Sequence, residues 1–271
     1  MGEARRRRFK LQTSGAHCIF CGGKAPATTE EHCPPRSLFR DKAWPEGYVF
    51  PACERCNGGT SDQDLVAAFM ARLDPELSAD QHQKGIGLMK AVNRQFPGFL
   101  SEMFERSAVK ARSDARRLGM VPPKGMTYQE LGIANIPDAM HRCVETLAAK
   151  LTKAVYFKEQ GSIFPSDGDI AFHWFTNAQK QEHGAIAALE ALANVKATEP
   201  MLIRNGKDLR DQFDYRYSAD EGSALYCLQV VFGKVFGFVT LFSPTSQRVR
   251  AIDEEFVTRT GAGQSPWRFL V

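Results

Sequence analysis

The chain has 271 residues, of which 43% are hydrophobic and 24% charged. That is the balance of a folded globular protein with a sizeable core and excludes extensive disorder. Seven cysteines are too few for a disulfide scaffold, and no apolar run approaches the ~18 residues of a membrane span.

The opening MGEARRRRFKLQ has no apolar centre of the kind a secretory signal carries. The expected compartment is therefore cytoplasmic and reducing, where thiols serve metals rather than disulfides. The net charge is +4, and residues 1–60 hold ten basic against six acidic side chains, so that segment carries the whole surplus. Such asymmetry points to an anionic partner for the N-terminal region, such as a phosphate backbone.

In chain order, residues 1–12 read as a basic arm. Residues 13–60 are rich in Cys, Gly and Pro, and a segment with so little core of its own needs a staple. Helical texture begins at SDQDLVAAFMARLD, where Leu65, Val66, Phe69, Met70 and Leu73 recur at helical spacing. It continues through QHQKGIGLMKAVNRQF and GFLSEMFERSAVKARSDARRLG. VPPKGMTYQELGIANIP is a Pro- and Gly-marked connection. The clearest helix is DAMHRCVETLAAKLTKAVYFKEQ, with Cys143, Val144, Leu147, Leu151 and Val155 on one face and Gly161 as its stop. Next, DIAFHWFTN alternates as a strand, residues 177–195 read as a helix, and three or four strands follow among MLIRNG, QFDYRYSAD, ALYCLQVVFG and VFGFVTLFS. Turns fall at Asn205-Gly206, Asp220–Gly222 and Gly233-Lys234. Phe232, Phe236, Phe238 and Phe242 share one parity and are expected on one buried sheet face. The expectation is an α+β chain: a small stapled module over 13–75, a helical connector over 76–130, and an antiparallel sheet packed on helices over 131–271. No Walker motif and no G-x-S-x-G elbow occur, which removes support for nucleotide hydrolysis and for the α/β-hydrolase class.

The chemistry concentrates in the stapled module. Cys18-Ile-Phe-Cys21 and Cys53-Glu-Arg-Cys56 are two C-x2-C knuckles separated by 31 residues. Together they supply four thiolates, a closed tetrahedral set for a structural Zn²⁺. Cys33, Cys143 and Cys227 form no such pair and are expected as buried thiols. Between the knuckles stands Thr-Thr-Glu30-Glu31-His32-Cys33-Pro-Pro-Arg36, and Asn57 follows the last knuckle directly.

This order, Cys-x2-Cys, Glu-His, Pro-Pro-Arg, Cys-x2-Cys-Asn, resembles the zinc-knuckled branch of the HNH endonucleases over about residues 15–70. The resemblance implies a ββα-metal unit that hydrolyses phosphodiester bonds, with DNA the favoured nucleic acid. It assigns His32 as general base, and Glu31 and Asn57 as ligands of a catalytic Mg²⁺ or Mn²⁺. A neutral imidazole can take a proton from water near pH 7, and a hard cation can polarise the phosphate. Two positions depart from the family. Tyr48 stands where a middle Asn supports the loop of the base, and Thr60 stands where a basic residue often follows the knuckle Asn. Asp64, two helical turns beyond Asn57, is a further ligand candidate. Arg36, Arg40 and Lys42 border the base and are candidates for phosphate contact. The competing expectation is a non-catalytic zinc module that binds nucleic acid or protein. Residues 131–271 are the place for a protein partner or a small ligand.

Overall fold

A computed structural model describes residues 15–74, 76–131, 133–176, 197–198, 200–220, 222–260 and 267–270, without side chains for 197 and 255–260. The basic arm, the helix expected over 177–195 and His183 lie outside the described residues.

The N-terminal part is a two-stranded antiparallel hairpin, β1 (Thr29–His32) with β2 (Val49–Ala52), in which His32 faces Val49. A short helix α1 (Glu54–Gly58) and the helix α2 (Ser61–Met70) follow. Val66, Phe69 and Met70 of α2 are buried, as their spacing requires. α3 (Ala79–Gln95) opens with Ser78, whose hydroxyl accepts from the Gln81 N–H. The segment GFLSEMFERSAVKARSDARRLG, expected as one helix, is two, α4 (Phe99–Phe104) and α5 (Ala108–Arg117). The reason is local: the Ser107 hydroxyl accepts from the Lys110 N–H and so starts a fresh helix.

The long helix α6 (Asp138–Gln160) stands as expected, closed by Gly161 at φ +68° in the left-handed region. It packs on a six-stranded antiparallel sheet in the order β10-β3-β9-β8-β7-β4, where β3 is Asp169–Thr176, β4 Ala197–Thr198, β7 Asp214–Asp220, β8 Leu225–Phe232, β9 Phe236–Ser243 and β10 Arg268–Leu270. A separate hairpin joins β5 (Ile203–Arg204) to β6 (Lys207–Asp208) through Asn205-Gly206, both at positive φ.

Phe232, Phe236, Phe238 and Phe242 are buried together in the main core with Leu151 and Val155 of α6. The Thr152 and Thr240 hydroxyls bond at 2.9 Å between helix and sheet. The other sheet face is covered as well. Ala171, Cys227, Val239 and Leu241 form a second small core with Val249 of α7 (Arg248–Thr260). β9 is consequently buried along its whole length. The main core is continuous from Cys18 and Phe20 in the first knuckle, through α6, to the sheet.

Candidate active site and metal centre

The two knuckles are brought together by backbone. In the first, Cys18 N–H donates to Ala25 at 2.9 Å and Gly23 N–H to Cys18 at 3.0 Å. Gly22 sits at φ +68°, and a Cβ there would meet the Ser166 nitrogen at 2.6 Å, so the position admits only glycine. In the second, Cys53 precedes α1 and its carbonyl accepts from Asn57 N–H at 3.0 Å. The four ligand atoms of Cys18, Cys21, Cys53 and Cys56 lie within 4.8 Å of one another. A tetrahedral zinc with ~2.3 Å bonds separates its sulfurs by about 3.8 Å, so a small closure completes the site. The cluster could hold a metal ion such as zinc, with no coordination position left open. α6 leans on both knuckles: Lys153 Nζ donates to the Phe20 carbonyl at 3.1 Å and Lys150 Nζ to the Cys56 carbonyl at 3.4 Å. Cys33, Cys143 and Cys227 are buried thiols, each held well above the ordinary thiol range by burial.

At the end of β1, Glu31, His32, Asp64 and Lys150 line a cavity of about 10 Å³, room for about one water molecule. Glu31 is only 4% exposed. Its carboxylate is bonded by Lys150 Nζ, which also donates to Thr60 Oγ1 at 2.8 Å. Burial pushes the Glu31 carboxyl above its usual range, and Lys150 opposes this only in part. Burial likewise pushes Asp64 up to about 6 against the pull of Lys150. A cation thus reaches Thr60 from α6, ninety residues further on.

Asn57 turns its amide nitrogen to β1, donating to Thr29 Oγ1 at 2.8 Å and to the Glu30 carbonyl at 3.1 Å. It ties α1 to the hairpin. Tyr48 is fully buried and its hydroxyl bonds Tyr215 at 2.8 Å, so its side chain serves the core. Its carbonyl still accepts from Cys33 N–H at 3.2 Å and steadies the chain just after His32.

His32 packs edge-to-face with Trp44, ring centroids 4.7 Å apart. The guanidinium carbons of Arg36 and Arg204 each lie 4.1 Å from the Trp44 ring. The loop carrying Trp44 is pinned to the β5–β6 hairpin, since Glu46 N–H donates to Ile203 at 3.0 Å and Asn205 N–H to Glu46 Oε1 at 3.1 Å. Arg40 is turned elsewhere: its guanidinium pairs with Asp211 and its N–H donates to Gln212 Oε1 at 2.7 Å. Lys42 is exposed. Sequence reasoning passed over Lys150, Trp44 and Arg204. A lone Trp among basic loop residues was a usable signal for the second, whereas nothing local marked the two cations. His141 accepts from Trp174 Nε1–H at 3.3 Å and belongs to the packing of β3 on α6.

Compared with protein-family models, curated proteins and solved structures, the chain matches none. Among the described residues no helix is long and apolar enough to cross a membrane.

Proposed function

We propose that this chain is a zinc-stapled endonuclease of the HNH, ββα-metal type that hydrolyses phosphodiester bonds in DNA. The observation that carries the reading is the placement of His32 at the end of β1, in one cavity with Glu31, Asp64 and Lys150, above a four-cysteine knot that fixes the hairpin to α1. In the reaction, the imidazole of His32 takes the proton of a water whose oxygen bonds to phosphorus. The P–O3′ bond breaks, and the departing oxygen takes a proton from solvent. Arg36 and Arg204 on Trp44 hold the adjacent backbone phosphates.

The hard divalent ion assigned to Glu31 and Asn57 does not fit Glu31 as it stands. The Glu31 carboxylate is engaged by Lys150, whereas the Asn57 amide nitrogen donates to β1 and does not commit its Oδ1, the atom that would ligate. Among the described residues the four cysteines are the only His, Cys, Asp and Glu side chains grouped for a metal. This favours a second reading, a zinc module that binds nucleic acid without cutting it. Plasmid cleavage by wild type against His32→Ala separates the two. A loss of about 10²–10⁴ in rate with binding retained supports the nuclease. No cleavage by the wild type, or equal cleavage by both, overturns it.

A further inference from the structure

Lys150 Nζ has three acceptors: Glu31 Oε1, Thr60 Oγ1 at 2.8 Å and the Cys56 carbonyl at 3.4 Å. An ammonium has three N–H donors, so its capacity is filled. The acceptors are a carboxylate, a hydroxyl and a carbonyl, the hard oxygen types that Mg²⁺ and Mn²⁺ also choose. They come from β1 (Glu31), from α1 (Cys56) and from Thr60 just before α2, and β1 and α1 are the two elements to which the nuclease resemblance assigns cation ligands. The side chains of Lys150 and Glu31 are 12% and 5% exposed, so the pair is nearly sealed from water. The Phe20 ring, 5.3 Å from Nζ, covers a further side of the charge. Lys150 is held on the inner part of α6 between Leu147 and Leu151, both in the core, so its stem has a fixed origin.

We propose that Lys150 is the resident cation of this site, filling a cradle of oxygens that would otherwise take a divalent ion, so that the native protein takes up no Mg²⁺ or Mn²⁺ there. The positive charge that balances the Glu31 carboxylate then belongs to the protein and is present without added metal. For its functional meaning the inference rests on the nuclease reading, but the occupancy of the cradle is a matter of binding alone. Lys150 is a positioning residue in this scheme, since its own donors are spent on the protein.

The test is a titration of Mn²⁺ into the full-length, zinc-loaded protein, followed by electron paramagnetic resonance of the free ion. Wild type is expected to bind no Mn²⁺ through about 1 mM, the weak end of protein sites for hard cations. Lys150→Ala, with its zinc content verified, is expected to gain one Mn²⁺ per chain, and Lys150→Ala/Glu31→Gln to lose it again. Wild-type uptake of Mn²⁺ that Glu31→Gln weakens tenfold or more overturns the proposal, and needs no variant of Lys150 to fold. Failure of zinc-loaded Lys150→Ala to gain a site overturns it as well, because the oxygens would then not form a cation cradle. DNA cleavage is not the readout. A chain that never cuts DNA leaves the Mn²⁺ result standing, and Mn²⁺ uptake by wild type leaves the nuclease reading standing.

Discussion

Glu31 and Lys150 are 119 residues apart in sequence and joined in one ion pair beneath the end of β1. Removing one partner from such a pair strands a charge in low dielectric and typically costs about 3–5 kcal/mol. Lys150→Met is therefore expected to lower unfolding stability by that order at pH 7. Glu31→Met/Lys150→Met should recover most of the loss, because neither charge is then left behind. Urea denaturation of the two variants measures the difference. Equal losses in both would show that the pair contributes through packing and not through charge.

The four-cysteine knot is expected to bring one zinc per chain through purification. Cys53→Ser should lose the metal and, with it, the junction of hairpin and α1. Since α6 also bonds the knuckle carbonyls of Phe20 and Cys56, the damage should extend to global stability. Metal analysis together with the thermal midpoint checks both statements. Full stability in the zinc-free variant would contradict the coupling through α6.

Arg204 is expected to act with Arg36 on the nucleic-acid backbone, both resting on Trp44. Arg204→Ala should weaken DNA binding several-fold, and the slope of log affinity against log salt should fall by about one. Arg40→Ala should leave that slope unchanged, because its guanidinium is spent on Asp211. Binding isotherms at several salt concentrations, with zinc content verified, decide between them.

Asp64 makes stability depend on pH. Its carboxyl is raised from 3.8 to about 6 by burial, so the folded chain holds that proton more tightly than the unfolded one. The stabilisation is full below pH ~4 and is lost as pH rises through ~6, by an amount on the order of 1–3 kcal/mol. Asp64→Asn should flatten this part of the profile. Denaturation midpoints of both proteins between pH 4 and 7 give the comparison. A profile unchanged by the substitution would mean that Asp64 is fully hydrated.

The Tyr48 hydroxyl bonds Tyr215 within the core, while the Tyr48 carbonyl holds Cys33. Tyr48→Phe keeps the ring and the backbone bond and leaves the Tyr215 hydroxyl its contact with Glu159 Oε1 at 3.4 Å, so a stability loss of about 1 kcal/mol, that of one hydrogen bond, is expected. DNA affinity should be unchanged. Paired denaturation and binding measurements check this, and a large fall in affinity would place Tyr48 in the site itself.

How much of this was legible follows from where the information sits. The knuckles announce themselves because ligand chemistry requires fixed spacing within a few residues, and the thiols do converge. The phenylalanines of β8 and β9 and the apolar stripe of α6 were readable because burial imposes a period. α7 was not, since Arg248, Arg250, Asp253 and Glu254 dilute its apolar signal, and among its residues with described side chains only Val249 is buried. The charge of the site was legible by type and not by partner. Glu31 was marked by its neighbour His32, but nothing in the local sequence says that Lys150, on a helix otherwise occupied with core packing, is the group that meets it. The pairing of Arg40 with Asp211 was illegible for the same reason, since Asp211 lies on a distant segment. Long-range pairing has no local period to betray it.

The continuity of the core through α6 bears on how such a module can spread among proteins. Phe20, Tyr48 and Phe50 of the knuckle region are packed in one cluster with Phe213 and Tyr215 of the sheet region, and two lysines of α6 bond the knuckle backbone. A gene fragment encoding residues 15–75 alone would present those rings to water and leave the Glu31 carboxylate without its counter-ion. Such a unit is not expected to fold as a detachable cassette. Recombination that replaces residues 131–271 must supply another helix with lysines at the same two heights, so the chemistry of the first quarter of this chain and the architecture of its second half are constrained to evolve together.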